Sequence, residues 1–163
     1  MDGSASLTET EADTLAAVLA RLIPRDEHGP GAAEAQVLAF IERALASDLS
    51  ASRALYAQNL TALATWAAAE HGAPFARLDA AAQDALLARL EDGSAPGFSP
   101  AADVFFELVR LHAIEGMFAD PRHGGNRRHA GWDLIGFPGP KVVFTAADQA
   151  LDVEVTAVRP DAG

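Results

Sequence analysis

Between Leu7 and Ala119 apolar residues recur three and four positions apart, and nowhere before residue 141 do they alternate in the two-residue rhythm of a strand. Without strands there is no sheet to organise a core, so the chain must build one by packing helices on helices. Thr8 followed by Glu11 is a capping-box pattern, with Leu7 placed as its staple. Ala12, Leu15, Leu19, Leu22 and Ile23 carry the first helix until Pro24 stops it, and PRDEHGPGA reads as a turn-rich connection. Val37, Phe40, Ile41, Ala44 and Leu45 share one face of a second helix. Ser50 is the predicted cap of a third, which carries Leu55, Leu60, Leu63 and Ala67 and ends near His71-Gly72. Asp79 starts a fourth with Ala82, Leu86, Leu87 and Leu90, ending at Gly93, and Ser99-Pro100 is the predicted N-cap and first residue of a fifth.

The fifth helix differs from the others. Val104, Phe105, Phe106, Leu108, Val109, Leu111, Ile114, Met117 and Phe118 surround it almost completely. A helix apolar all round lies in the centre of a core or between the core and a partner. In a chain of 163 residues the second position is expected for part of its surface. The predicted fold class is therefore all-α, with about five helices in an irregular bundle. One domain is expected over 1–163: a helical body at 7–119, an ordered loop at 120–140 and a C-terminal arm at 141–163. KVVFT and LDVEVTAV in that arm read as extended, yet two strands alone are marginal, so the arm is not taken as a sheet.

Composition removes several function classes. A net charge of −11 opposes nucleic-acid binding, which needs a basic face to neutralise phosphates. The absence of cysteine excludes disulfides, thiolate metal sites and thiol nucleophiles. No apolar run approaches the ~18–20 residues needed to span a bilayer. MDGSASLTETEAD lacks the basic and apolar regions of a signal peptide, so either the protein stays where it is made or a leader has been removed.

The stretch GMFADPRHGGNRRHAGWDLIGFPGP, from Gly116 to Pro140, breaks with the helical pattern before it. Loops longer than about 12–15 residues are uncommon in compact domains and are usually functional or disordered. Met117, Phe118, Trp132, Leu134, Ile135 and Phe137 make this one too apolar for disorder. Arg122, Arg127 and Arg128 with His123 and His129 form a basic island on an acidic chain, and arginine forks suit carboxylates and interfaces. Asp120-Pro121 marks the helix end. Gly124-Gly125-Asn126 permits positive φ and close approach, with Asn126 expected to tie the loop to itself through side-chain-to-backbone bonds. In the self-contained alternative, Trp132 and Phe137 simply cover the end of the fifth helix.

Signals for catalysis are sparse. There is no nucleophile elbow, and HGGN lacks the spacing and preceding strand of a dinucleotide loop. His112 and Glu115 lie one helical turn apart, with Glu107 nearby and His123 and His129 following. A small helical metalloenzyme built on them is the alternative function. Bundle metal sites draw matching Glu-x-x-His pairs from two helices, however, and here a single reversed pair occurs.

On these residues the chain resembles the gluconate 2-dehydrogenase subunit 3 family, the small cofactor-free subunits of membrane-associated flavin dehydrogenases. The family shows a helix ending in G-x-F-x-D-P, then GGN, then W-x-x-(I/L)-G-(F/Y)-P-G. Here these are Phe118, Asp120, Pro121, Gly124, Gly125, Asn126, Trp132, Gly136, Phe137, Pro138 and Gly139. LTETEADTLAAVLARLIPRDEHGPGAAEAQVLAFIE is similar to the family's first helix and following turn, so the likeness spans residues 7–140. It implies a noncatalytic subunit that binds and stabilises a large FAD-containing subunit oxidising sugars or their derivatives, and assists its folding or export. Electrons would pass to a cytochrome c subunit, and the location would be periplasmic, or else cytoplasmic. No cofactor is expected in this chain. Physical reasoning adds Phe106, Met117, His123, Arg127 and Arg128 to the motif positions as the expected partner-binding surface. Two departures matter: these residues include no twin-arginine leader, and without the cysteines of some relatives the association must be noncovalent.

Overall fold

The computed structural model describes residues 6–140, 143, 145–149 and 159. Among them the chain forms six α-helices and no strand: α1 Glu9–Leu22, α2 Val37–Leu45, α3 Arg53–His71, α4 Ala80–Glu91, α5 Ala102–Phe118 and α6 Ala130–Leu134. The all-α expectation holds. The ordered loop expected at 120–140 is built of two 3₁₀ turns, Pro121–His123 and Arg127–His129, and then the short α6. KVVFT and LDVEVTAV fall largely or wholly outside the described residues, while Ala146–Gln149 within the predicted arm make a 3₁₀ turn.

Local signals set most of the helix ends. The Thr8 side chain accepts from Glu11 N while Glu11 Oε2 accepts from Thr8 N, closing the capping box, and Leu7 is buried beside it. Asp79 caps α4 by accepting from Ala82 N at 2.9 Å. Gly72 ends α3 in the left-handed region at φ +74°. Two predicted caps are corrected. Ser50 lies in a 3₁₀ turn whose Ser50 carbonyl accepts from Arg53 N, so the turn itself serves the first amide of α3 and no side-chain cap forms. Ser99 does not cap α5, which starts at Ala102. Its backbone is held instead by buried Asn59 of α3, whose Oδ1 accepts from Ser99 N at 3.1 Å and whose Nδ2 donates to Ser99 O at 3.0 Å.

One core joins these helices. α1 packs on α2, α3 and α4, and α5 lies against α2 and α4. Leu15, Leu19, Ile41, Tyr56, Leu60, Leu63, Phe75, Leu86, Leu90 and Met117 are essentially inaccessible. Each such side chain contributes about 1.5–3 kcal/mol through its removal from water. Around this core, Arg21 pairs with Asp84 to join α1 to α4, and Arg89 pairs with Glu70 while its guanidinium stacks over Trp66. Such exposed pairs add a few tenths to about 1 kcal/mol each.

α5 faces both ways, and this positions the site. Ala102, Phe105, Val109, His112, Ala113, Gly116 and Met117 form its buried face. On the other side Val104, Leu111 and Ile114 remain 51%, 48% and 39% exposed. With Leu108 and Phe118, both half-buried, they make an apolar stripe along the helix. Phe106, expected on the partner-facing surface, is instead half-buried against the core.

Candidate partner interface

The stretch from Asp120 to Pro140 is a built object. Its centre is Asn126, fully buried with φ +47°. Asn126 N donates to Gly116 O at 2.8 Å and Nδ2 donates to Ala119 O at 2.8 Å. Oδ1 accepts from Gly131 N at 2.8 Å and, more weakly, from Trp132 N at 3.4 Å. One side chain thus serves a carbonyl left over at the end of α5 and an amide left over at the start of α6. The expected self-tying role of Asn126 is what the geometry shows.

Two glycines let the loop lie this close. A Cβ on Gly125 would stand 2.2 Å from Gly116 O, and one on Gly131 would stand 2.0 Å from Met117 O. Trp132 completes the seat: it is buried, and its Nε1 donates to Phe118 O at 2.8 Å. The Phe137 ring meets it edge-on at 5.0 Å. Met117, Gly125, Asn126, Trp132 and Gly139 are thus buried rather than presented to solvent.

Other residues of the expected interface reach solvent. His123, Arg127, Arg128 and Gly136 are exposed, and Phe137 is 38% exposed beside Leu134 at 43% and Ile135 at 60%. Pro121 opens the first turn, Asp120 Oδ1 accepts from Arg122 N at 3.1 Å, and Gly124 closes that turn at φ +101°. Pro138 is half-buried. Arg128 and His129 also sit in the left-handed region, at φ +55° and +62°, which costs about 1–3 kcal/mol per residue and is sustained by the fixed surroundings. Arg159, from the far end of the chain, pairs with Asp133 and donates to Phe137 O at 3.0 Å.

The loop is stapled to α2 as well as to α5. Arg127 N donates to Ala35 O and its Nη1 to Gln36 Oε1, both at 3.1 Å, while Arg43 Nη1 donates to Arg122 O at 3.1 Å. Between α2, its C-terminal corner, α5 and the first loop turn runs an open groove of about 820 Å³. Phe40, Leu49, Ile114 and Phe118 give it apolar walls, and Arg43, Asp48, Glu115 and His123 supply its polar edges. Sequence reasoning missed the α2 contribution. It also missed that the exposed α5 residues are Val104, Leu111 and Ile114, although the seven-residue spacing of Val104, Leu111 and Phe118 was a signal for that face.

His112 and Glu115 are not brought together as ligands. His112 turns into the core, where Nδ1 lies 2.8 Å from the Tyr56 hydroxyl and the rings stack, while Glu115 is exposed. Among the described residues no group of three or more His, Cys, Asp or Glu is placed to hold a metal ion. Burial lowers the His112 pKa, with Glu115 opposing, and raises that of Tyr56. A histidine whose folded value lies below its unfolded value of about 6.5 leaves stability intact above that pH and erodes it below, because the unfolded chain then takes up a proton that the folded chain resists. The urea midpoint is expected to fall between about pH 7.5 and about pH 5.5, and to fall less in His112→Gln; a wild-type midpoint flat across that window would contradict it.

No curated protein and no solved structure matches the chain significantly. The profile of gluconate 2-dehydrogenase subunit 3 matches residues 9–139, from the first residue of α1 to the end of the loop centred on Asn126. The match takes in both the helical body and the loop seated upon it, and the chain belongs to the gluconate 2-dehydrogenase subunit 3 family.

Proposed function

We propose that this protein is a noncatalytic small subunit that binds and stabilises the large FAD-containing subunit of a sugar or sugar-derivative dehydrogenase. The observation that supports this most is the exposed apolar stripe of α5, Val104, Leu111 and Ile114, running into the groove beside the family loop. Contiguous apolar surface of this kind marks interaction sites in soluble proteins. Covering it on assembly stabilises the bound state of both chains by mass action. The partner would carry the FAD and the catalytic groups, and a cytochrome c subunit would take the electrons onward. By family the assembly would be periplasmic. No helix among the described residues is long and apolar enough to cross a membrane.

Co-expression tests the proposal. The large subunit is expected to be soluble and active when produced with this chain, and largely insoluble or inactive without it. Equal yield and activity in both cases would refute the role.

A further inference from the structure

On the reading that a large subunit is the partner, we infer that the groove between α2 and α5 receives a segment of that subunit carrying a bulky apolar side chain next to a carboxylate. The apolar half of the inference comes from shape. Phe40, Leu49, Ile114 and Phe118 line an open groove of about 820 Å³, and none of the four is fully buried. Its α5 wall continues as the stripe of Leu111 and Val104, so an occupant of the groove can extend along the helix beside the exposed Glu107–Arg110 pair.

The carboxylate comes from charge. The chain has 23 acidic residues against 12 basic ones, and about half of its arginines hold a carboxylate among the described residues. Arg21, Arg25, Arg89, Arg110, Arg122 and Arg159 each hold an Asp or Glu. Arg43 and Arg127, beside the groove, form no ion pair among the described residues, as is also true of Arg53 and Arg77 elsewhere. The Arg43 guanidinium donates to the carbonyl of Arg122, and Arg127 donates to the neutral amide of Gln36. His123 lines the same edge as Arg43, and Arg127 and Arg128 follow along the loop. Asp48 and Glu115 also line the groove, yet no ion pair joins either to Arg43 or His123 among the described residues.

Arg43 is thus anchored by one N–H and presents the rest of its fork at the groove edge. A planar fork with free N–H groups matches a carboxylate in two-point contact. An apolar side chain seated beside it would exclude water and strengthen that contact.

Binding of the purified chain to its large subunit, measured as a Kd at several salt concentrations, decides the matter. Ile114→Asp and Arg43→Glu are each expected to weaken binding about 30-fold or more, and Arg43→Met to flatten its salt dependence. Arg77→Glu, away from the groove, is expected to bind as wild type. Because Ile114 and Arg43 are exposed, circular dichroism and melting of the free variants should stay near wild type. Wild-type affinity in both groove variants would overturn this inference and leave the subunit role standing, whereas failure of the wild-type chain to bind would overturn both. A dimer of the isolated chain that Ile114→Asp dissolves, with large-subunit binding unchanged, would assign the groove to a second copy and overturn it too.

Discussion

Gly131→Ala is expected to be the most damaging single-methyl change in this chain, lowering the melting temperature by roughly 6–15 °C, or about 3–5 kcal/mol. The added carbon would stand 2.0 Å from Met117 O, 2.9 Å from Met117 C and 2.9 Å from Phe118 Cδ1. Two of those three atoms are backbone in the last turn of α5, where no side-chain rotation relieves the clash. The start of α6 must lift by about an ångström to restore contact distance, and packed interiors resist that. Lifting it stretches the Gly131 N to Asn126 Oδ1 bond and the Trp132 Nε1 to Phe118 O bond, both 2.8 Å. Gly136→Ala is the informative control. Its φ is +64° but nothing lies within 4 Å of the added carbon, so only the left-handed backbone is penalised, by about 1–2 kcal/mol. Thermal melts of the two variants should therefore differ clearly. A Gly131→Ala protein melting within about 2 °C of wild type would mean that the loop does not rest on α5 as described.

What the sequence disclosed and what it hid separate along the range of the forces involved. The α1 capping box and the Asp79 cap each lie within four residues of the amide they serve, and both were legible. The start of α5 was not. Ser99-Pro100 has the local form of a cap, but Asn59, 40 residues earlier, takes up the Ser99 backbone on both sides. The same division runs through the site. Asn126 announced a self-bonded turn, because an Asn after two glycines favours side-chain-to-backbone bonds whatever surrounds it. Trp132 announced only that something large needed covering. Its role as a buried seat, rather than an exposed anchor, depends on reaching Phe118 O.

The α5 faces illustrate the point most sharply. A helix apolar on all sides does not say which side the rest of the chain will claim. Its neighbours decide that: α2 and α4 pack along it and the rings of Tyr56 and Phe98 meet Phe105, so Phe105 and Val109 are buried, Phe106 is half-buried, and Val104, Leu111 and Ile114 are left in water. The groove was hidden for the same reason. Arg43 touches the loop across 79 residues of sequence, a juxtaposition that no spacing rule encodes.

Asn126→Ala is expected to destabilise the chain by about 3–5 kcal/mol, close to the effect of Gly131→Ala but by a different route. Nothing clashes here; partners are lost. Ala119 O, partly buried, loses its donor and Gly131 N, fully within the seam, loses its acceptor, and each buried unpaired group costs about 1–3 kcal/mol. Alanine must also hold φ near +47°, adding about 1–2 kcal/mol that asparagine partly escapes by bonding locally. Asn126→Gly separates the two contributions. It removes the same hydrogen bonds but tolerates the backbone, so it should be milder than Asn126→Ala by about 1 kcal/mol while remaining well below wild type. Asn126→Asp supplies the third point: it keeps the acceptor for Gly131 N, loses the donor to Ala119 O, and buries a charge that low pH would relieve. Urea unfolding of the three variants should rank glycine above alanine, with aspartate gaining stability relative to the others as pH falls through the range where its carboxyl protonates. Equal stability of all three with wild type would show that the loop is held by the packing of Trp132 alone. In that case the hydrogen bonds around Asn126 would follow from the seat rather than create it.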